Sequence, residues 1–307
     1  MRNETRGTLE LTLAMVLSGT LGVFVVESGA SPFEVVFFRC LFGAVALGLY
    51  SLARGYLTGH GFTRRSLGLA LLGGVFIVFN WVFLFESYEA GSISLATVVY
   101  HTQPFFLVLL GAVFARERIT AGMLGWLAVA FAGLVLVSGV RPGDTASLAG
   151  LGYALAAAVL YALATFVTKK ISGVRPHLIA LVQVSAGVPL LLPFADLGAV
   201  SGLGAAGWGW LAGLGLIHTG LMYVLMYAAY AKLPTPKIAV LAFTYPAVAM
   251  LADWAVYGHH IGPVQALGVP LIVLAGLKVT LARAAAPAPR TAARGPEAAS
   301  PVATRAA

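Results

Sequence analysis

The chain has 307 residues, of which 60% are hydrophobic and only 10% are charged, and its mean hydropathy is +0.92. A soluble fold of this length needs much more polar surface, so this composition excludes a soluble domain. A bilayer core cannot hydrogen-bond bare backbone, so repeated apolar runs of about 20 residues predict transmembrane helices. The single cysteine, Cys40, excludes an intramolecular disulfide.

We predict an all-α integral membrane fold with ten transmembrane helices. A signal peptide in place of the first span is disfavoured, because that apolar stretch is too long and has no clear cleavage site. The tail 284–307 is rich in Ala, Pro and Arg, has no apolar period, and is predicted to be disordered. In chain order, the predicted spans are 9–28, 32–53, 66–88, 92–115, 120–140, 148–169, 176–196, 206–230, 235–256 and 263–283.

The distribution of basic residues predicts that both termini are cytoplasmic. With that orientation all of the 19 Lys and Arg residues lie in cytoplasmic segments except Arg39, within a helix, and Arg141, in an outer loop. Most acidic residues fall on the outer side. The net charge of +8 is therefore explained by topology, with anionic lipid rather than nucleic acid as the counter-charge.

An internal repeat divides the predicted helices into two groups of five. Tyr88 matches Tyr230 and Pro104 matches Pro246, and the two pairs have the same spacing along the chain. Because five is odd, the second group must enter the membrane from the opposite side. The prediction is an inverted pair of repeats, 1–141 and 142–283, of the kind that supports alternating access.

The paired prolines mark a predicted substrate site. Pro104 and Pro246 fall near the middle of the fourth and ninth spans, where each removes a helical hydrogen bond and frees the carbonyl of Tyr100 or Ala242. Paired helix breaks at matching depth indicate a transport site. An ordinary packing kink is the alternative.

Polar and aromatic side chains gather around the predicted breaks. Polar groups at this depth usually face the bundle interior, and aromatic rings stack on planar or cationic ligands. They therefore favour an amphipathic or aromatic substrate over an inorganic ion. The alternatives are that His101 bonds to a neighbouring helix and that the tyrosines form core packing or an interfacial belt. The candidate substrate-binding residues are Asn80, Trp81, Tyr100, His101, Gln103, His218, Tyr223, Tyr227, Phe243 and Tyr245.

Arg39 is the one basic residue predicted to lie deep in a span. A buried guanidinium requires a partner, and Glu34 and Glu86 are the candidates for a gate or a buried ion pair. Direct binding of a substrate carboxylate is the alternative, and the sequence leaves both open.

No catalytic or metal-binding pattern is present in the sequence. It contains no GxxxxGK[ST], so the chain itself supplies no ATPase, and no HExxH, CxxC or paired His/carboxylate spacing. His259 and His260 fall in a predicted outer loop, where solvated side chains are expected. We predict no enzyme activity, no cofactor and no metal, and no ATPase subunit is evident.

The chain resembles the EamA-type drug/metabolite transporter superfamily over nearly its whole length except the tail. The resemblance lies in the five-plus-five helices, in Arg39 after Ser31-Pro32, and in the stretch from Pro104 to Glu117 that closes the fourth helix. In the second half His259 stands where the matching glutamate would be. The aromatic centre looks similar to YddG-type exporters of aromatic amino acids, which implies export across the bacterial inner membrane.

The resulting hypothesis is a multi-pass inner-membrane exporter of small amphipathic metabolites, chiefly aromatic or neutral amino acids. One rival is a multidrug or quaternary-ammonium effluxer, which should need a carboxylate in the deep centre for its cation. Another is a membrane-embedded enzyme that acts on lipids, which should need a catalytic constellation near one interface. A passive channel is disfavoured by the inverted halves. Proton coupling and facilitated movement both remain open.

Overall fold

The protein is described by a computed structural model that covers residues 2–90, 98–115, 120–138, 148–230, 232–233, 241–242, 244–258 and 262–282. These residues are helical, with short turns and no strand among them. Phe243, His259, His260 and the predicted tail lie outside the described residues. The helices are α1 (Arg2–Ser28), α2 (Pro32–Ala53), α3 (Arg64–Glu89), α4 (Gln103–Ala115), α5 (Ala121–Ser138), α6 (Leu148–Lys169), α7 (Pro176–Leu191), α8 (Ala205–Tyr230), α9 (Thr244–Tyr257) and α10 (Pro263–Ala282).

Helix boundaries follow local sequence signals. Both α2 and α7 begin with a proline, whose missing N–H costs nothing in a first turn. Thr63 and Ser66 form a capping box at the start of α3. The seventh helix ends at Leu191 rather than at the predicted 196, because Pro193 follows and has no N–H with which to continue the helical hydrogen bonds.

Five described helices are long and apolar enough to cross a membrane: α1 over 3–28, α2, α3, α6 and α8. Shorter apolar helices occur at Val98–Gly111, Leu124–Leu136, Pro176–Leu191 and Ala266–Ala275. Together these segments overlap nine of the ten predicted spans. The structure thus agrees with an all-helical membrane protein, and the count of ten spans remains a prediction.

The helices of the two halves pack in equivalent ways. Helix α1 lies against α8 and α9, and its counterpart α6 lies against α3 and α4. Helix α2 contacts α8 and α7 contacts α3, while α2 meets α7 and α5 meets α10. If α1–α5 are exchanged in order with α6–α10, the same set of helix contacts is obtained. Each half therefore completes the other, because the first helix of one repeat packs on the third and fourth helices of the other.

The connections gather at two ends of the bundle. At one end Glu10 of α1 binds Arg6 and Lys232, while Tyr56 lies under the guanidinium of Arg175. At the other end Glu27 accepts a hydrogen bond from Tyr257. The basic residues at the first end are among those that the sequence analysis assigns to the cytoplasmic side.

Candidate functional site

The deepest charge in the described structure is Arg39, on α2, which is only 2% exposed. Its Nε–H donates to Thr219 Oγ1 at 3.0 Å, and Nη2 donates a longer bond to the carbonyl of His218 at 3.5 Å. The guanidinium carbon lies 4.0 Å from the centre of the Trp81 ring. A cation–π contact and two hydrogen bonds thus hold the guanidinium between α3 and α8.

The predicted carboxylate partners of Arg39 have other roles. Glu34 is buried, but it accepts hydrogen bonds from the Ser31 hydroxyl and, at 2.8 Å, from the backbone N–H of Asp196. It therefore ties the start of α2 to the chain that follows α7. Glu86 lies near the far end of α3, and no ion pair joins it or Glu34 to Arg39 in the described structure. In the described structure Arg39 instead contacts a hydroxyl, a carbonyl and an aromatic face, and a gate formed with either glutamate stays a prediction.

A π-helical turn in α8 creates the partners of Arg39. Residues Leu216–Leu221 form this wider turn, and the hydroxyl of Thr219 donates to the carbonyl of Leu214, five residues earlier. Such turns are frequent at functional sites, because they displace backbone groups from the regular ladder. His218, within the turn, has its Nε2 3.0 Å from the hydroxyl of Thr20. His218 therefore joins α8 to α1.

Asn80 links the third and sixth helices. Its side chain is fully buried, and Nδ2 donates to the carbonyl of Ala157 at 2.7 Å. Its Oδ1 is also buried and has no hydrogen-bond partner among the described residues. Asn80 thus has a fixed orientation and a free acceptor.

Aromatic side chains from three helices surround Arg39 and Asn80. We use "aromatic centre" for Trp81 on α3, Tyr100, Tyr161 on α6, and Tyr223 and Tyr227 on α8. Trp81 and Tyr223 occupy equivalent positions of the two repeats, at the spacing of the internal repeat, and their ring centroids are 6.3 Å apart. Tyr223 meets Tyr227 at 5.7 Å, and Tyr100 meets Tyr161 at 6.2 Å. Tyr161 and Tyr227 are only partly buried.

The segments next to the two prolines meet at the aromatic centre. The His101 ring contacts that of Tyr100 at 5.6 Å and that of Tyr245 at 4.9 Å. Helix α4 begins at Gln103 after a turn at 101–102, so Pro104 lies in its first turn, and Pro246 is the third residue of α9. Gln103 Oε1 is a second buried acceptor without a partner in the described part of the chain. Phe243 lies outside that part.

The sequence analysis did not single out Tyr161, Thr219 or Gln183. Tyr161 lies seven residues after Ala154, on the face of α6 where Ala154, Ala158 and Ala162 recur every four residues, and that position is the signal that could have found it. Thr219 was hidden because a π turn has no sequence signature. Within the described residues, no three His, Cys, Asp or Glu side chains come together.

Asn80→Leu is expected to lower the free energy of unfolding by about 1–2 kcal/mol, because a buried interhelical hydrogen bond is lost while the side-chain volume is kept. Thermal unfolding in detergent measures the change. Met222→Leu, at the equivalent position of the second repeat, is the matched control: it removes only a weak sulfur acceptor of the Ser18 hydroxyl and should cost less. Equal losses in both variants would contradict the role given to the Asn80–Ala157 bond.

A family model for EamA-like transporters matches the chain twice, over residues 5–139 and 148–281. The chain belongs to the EamA-like transporter family. It is thus a multi-pass membrane transporter with two family repeats, and family membership implies a small-molecule substrate. The two matches lie on either side of the segment that separates α5 from α6.

Relatives of this EamA-like transporter carry transporter names. The chain is 34% identical over 286 residues to "Uncharacterized transporter YxxF" of Bacillus subtilis, covering 92% of this chain and 91% of the relative. It is 28% identical over 240 residues to a "Probable amino-acid metabolite efflux pump" of Salmonella typhimurium, covering 71% and 78%. It is 28% identical over 138 residues to the "Pseudopaline exporter CntI" of Pseudomonas aeruginosa, covering 44% and 46%.

A solved structure described only as "Crystal structure of protein" shares the fold. It superimposes on 90% of this chain and 98% of its own with a TM-score of 0.76, at 20% sequence identity. At this identity the similarity concerns the fold alone.

Proposed function

We propose that this transporter exports small amphipathic metabolites, chiefly aromatic or other neutral amino acids, across the bacterial inner membrane. The observation that carries the proposal is the aromatic centre beside a buried guanidinium. An amino acid needs apolar walls for its side chain and polar groups for its two charged ends. The "amino-acid metabolite efflux pump" among the relatives supports this substrate class, and the tyrosine-rich centre supports a YddG-type aromatic preference.

The polar ends of such a substrate have complementary groups at hand. Asn80 Oδ1 and Gln103 Oε1 are buried acceptors without partners in the described structure, so either suits the ammonium group of an amino acid. Trp81, Tyr100, Tyr161, Tyr223 and Tyr227 supply stacking surface for its side chain. His101 and Tyr245 close the side of the centre next to the proline-containing helices.

We further propose that ten spans form inverted repeats 1–141 and 142–283, with both termini and the tail 284–307 in the cytoplasm. The observed packing refines how the molecule would rock. Because α1 packs on α8 and α9, and α6 packs on α3 and α4, the natural moving units each contain helices of both repeats. Rocking of these two units would expose the aromatic centre to each side in turn.

A multidrug effluxer of the same superfamily is the second candidate. A cationic drug needs a carboxylate at depth, and the acidic side chains with partners in the described structure lie toward the ends of the bundle. At the centre the charge is instead positive, so a lone cation would be repelled. This disfavours the multidrug alternative. The lipid-acting enzyme has no supporting observation.

Flux into and out of proteoliposomes tests the proposal. The purified protein, reconstituted in lipid vesicles, should move labelled phenylalanine down an imposed gradient faster than protein-free vesicles do. The cationic dye ethidium, measured in parallel, should not move. Dye transport without movement of phenylalanine would reject the amino-acid assignment and favour the multidrug alternative.

A further inference from the structure

Arg39 has a neutral counterpart in the second repeat. Helices α2 and α7 both start with a proline, Pro32 and Pro176, so the two helices can be aligned on their first residues. In that alignment Arg39 corresponds to Gln183, and both residues are buried where their helix crosses another. The two repeats therefore use a cation and an amide at the same place in the fold.

Gln183 shows what the helix crossing itself requires. Its Nε2 donates to Thr168 Oγ1 at 2.8 Å, and its Oε1 accepts from the Tyr227 hydroxyl at 3.3 Å. Arg39 donates to the hydroxyl of Thr219, which lies on α8. Thr168 lies on α6 and Thr219 on α8, so the two contacts are not equivalent. Gln183 nevertheless shows that a neutral amide can occupy this buried position with both ends hydrogen-bonded, so burial there does not itself require a positive charge.

The charge of Arg39 lacks a carboxylate in the described structure. The acidic side chains with partners there bind elsewhere: Glu10 to Arg6 and Lys232, Glu27 to Tyr257, Glu34 to the backbone of Asp196, and Asp196 to backbone N–H groups of 198–199. A buried charge without a counter-ion is costly. Arg39 keeps a positive charge at a position where the other repeat uses the neutral amide of Gln183. This difference indicates that the counter-ion of Arg39 arrives from outside the chain.

The free donors of Arg39 fit a carboxylate. A guanidinium has five N–H groups, and hydrogen bonds within the described structure engage only Nε and Nη2. Nη1 makes no such bond there. The guanidinium lies against the Trp81 ring, and its planar fork suits bidentate binding of a planar anion.

We propose that Arg39 is the carboxylate-binding residue of the transport site, so that the carboxylate of the substrate supplies the missing counter-ion. Gln183 is its charge-free structural counterpart. This inference deepens the proposed function, because it requires every good substrate to carry a carboxylate next to an apolar or aromatic group. Only the repeat that contains Arg39 then binds the carboxylate of the substrate.

Ligand-induced stabilisation tests this inference separately from transport. The probes are 3-phenylpropanoate and its neutral analogue 3-phenylpropanamide, added to the purified protein in detergent while thermal unfolding is followed. The wild type should bind the carboxylate at least about 10-fold more tightly, since hydrogen bonds between charged groups are roughly twice as strong as neutral ones. Equal stabilisation by both probes would overturn the inference.

Arg39→Gln is the decisive variant, because it installs the residue that the other repeat uses. It should fold, lose the preference for the carboxylate, and bind 3-phenylpropanoate about 10- to 100-fold more weakly. Gln183→Leu is the matched control, which should lower stability while keeping the preference. A preference that survives in Arg39→Gln would overturn the inference. If that variant does not fold, the wild-type comparison of the two probes decides alone.

Failure of the proposed function gives a different result. A wild type that binds 3-phenylpropanoate in preference to the amide, yet moves no phenylalanine in proteoliposomes, would refute amino-acid export and support Arg39 as a carboxylate site. A wild type that moves phenylalanine and phenylalaninamide equally well would support export and refute the role of Arg39.

Discussion

Gly215→Ala is expected to lower the free energy of unfolding by about 3 kcal/mol, a large loss for one methyl group. The added Cβ would lie 2.2 Å from Phe42 Cβ and 2.9 Å from the backbone nitrogen of Gly43. Neither neighbour is the end of a flexible side chain, so α2 and α8 must separate. That separation would also displace the π turn, which begins at the next residue. Thermal unfolding in detergent measures the loss.

Gly209→Ala is the matched control on the same helix. No atom lies within 4 Å of its added Cβ, so it should be neutral or stabilise slightly, since alanine is favoured over glycine in a helix. Equal destabilisation by both substitutions would contradict the close crossing of α2 and α8. A loss confined to Gly215→Ala would support it.

Trp81→Ala is expected to reduce phenylalanine flux by about 30-fold and to destabilise the protein by about 3–5 kcal/mol. The indole ring forms the face on which Arg39 stacks, and a desolvated cation–π contact contributes about 2 kcal/mol, which corresponds to that change in flux. The ring also contacts Tyr223 across the two repeats. Proteoliposome flux and thermal unfolding measure the two effects.

Two further variants test whether the effect of Trp81→Ala comes from losing the ring face under Arg39 or from losing any large aromatic side chain. Trp81→Phe keeps a ring face under Arg39 and should retain most of the flux. Trp254→Ala removes a tryptophan that is 53% exposed, and should leave flux and stability nearly unchanged. A Trp254→Ala defect as large as that of Trp81→Ala would argue against a specific aromatic centre.

Most of the helical framework could be predicted from the sequence, because apolar length and proline positions are local signals. The predicted spans 32–53 and 148–169 coincide with α2 and α6, and the spacing of the internal repeat pairs Trp81 with Tyr223. The predicted end of the seventh helix was wrong by five residues. The family repeats at 5–139 and 148–281 fall within the two halves proposed from the sequence.

The partners within the site could not be predicted, because they depend on which helices touch. The sequence places Arg39 near Glu34 along α2, yet Glu34 faces the chain after α7 and Arg39 faces α8. The π turn that presents Thr219 has no counterpart in hydrophobic periodicity. Likewise the seam between α3 and α6, marked by the Asn80–Ala157 bond, follows from the exchange of first helices between repeats.

Access to the aromatic centre from both sides of the membrane tests the central claim most directly. A cysteine at Tyr161, introduced into a Cys40→Ala background, lies on α6 beside Tyr100 and lines the centre. A membrane-impermeant maleimide should label it in right-side-out and in inside-out vesicles, and phenylalanine should slow both reactions. Labelling from one side only, unaffected by phenylalanine, would contradict a transport site that opens alternately to each face.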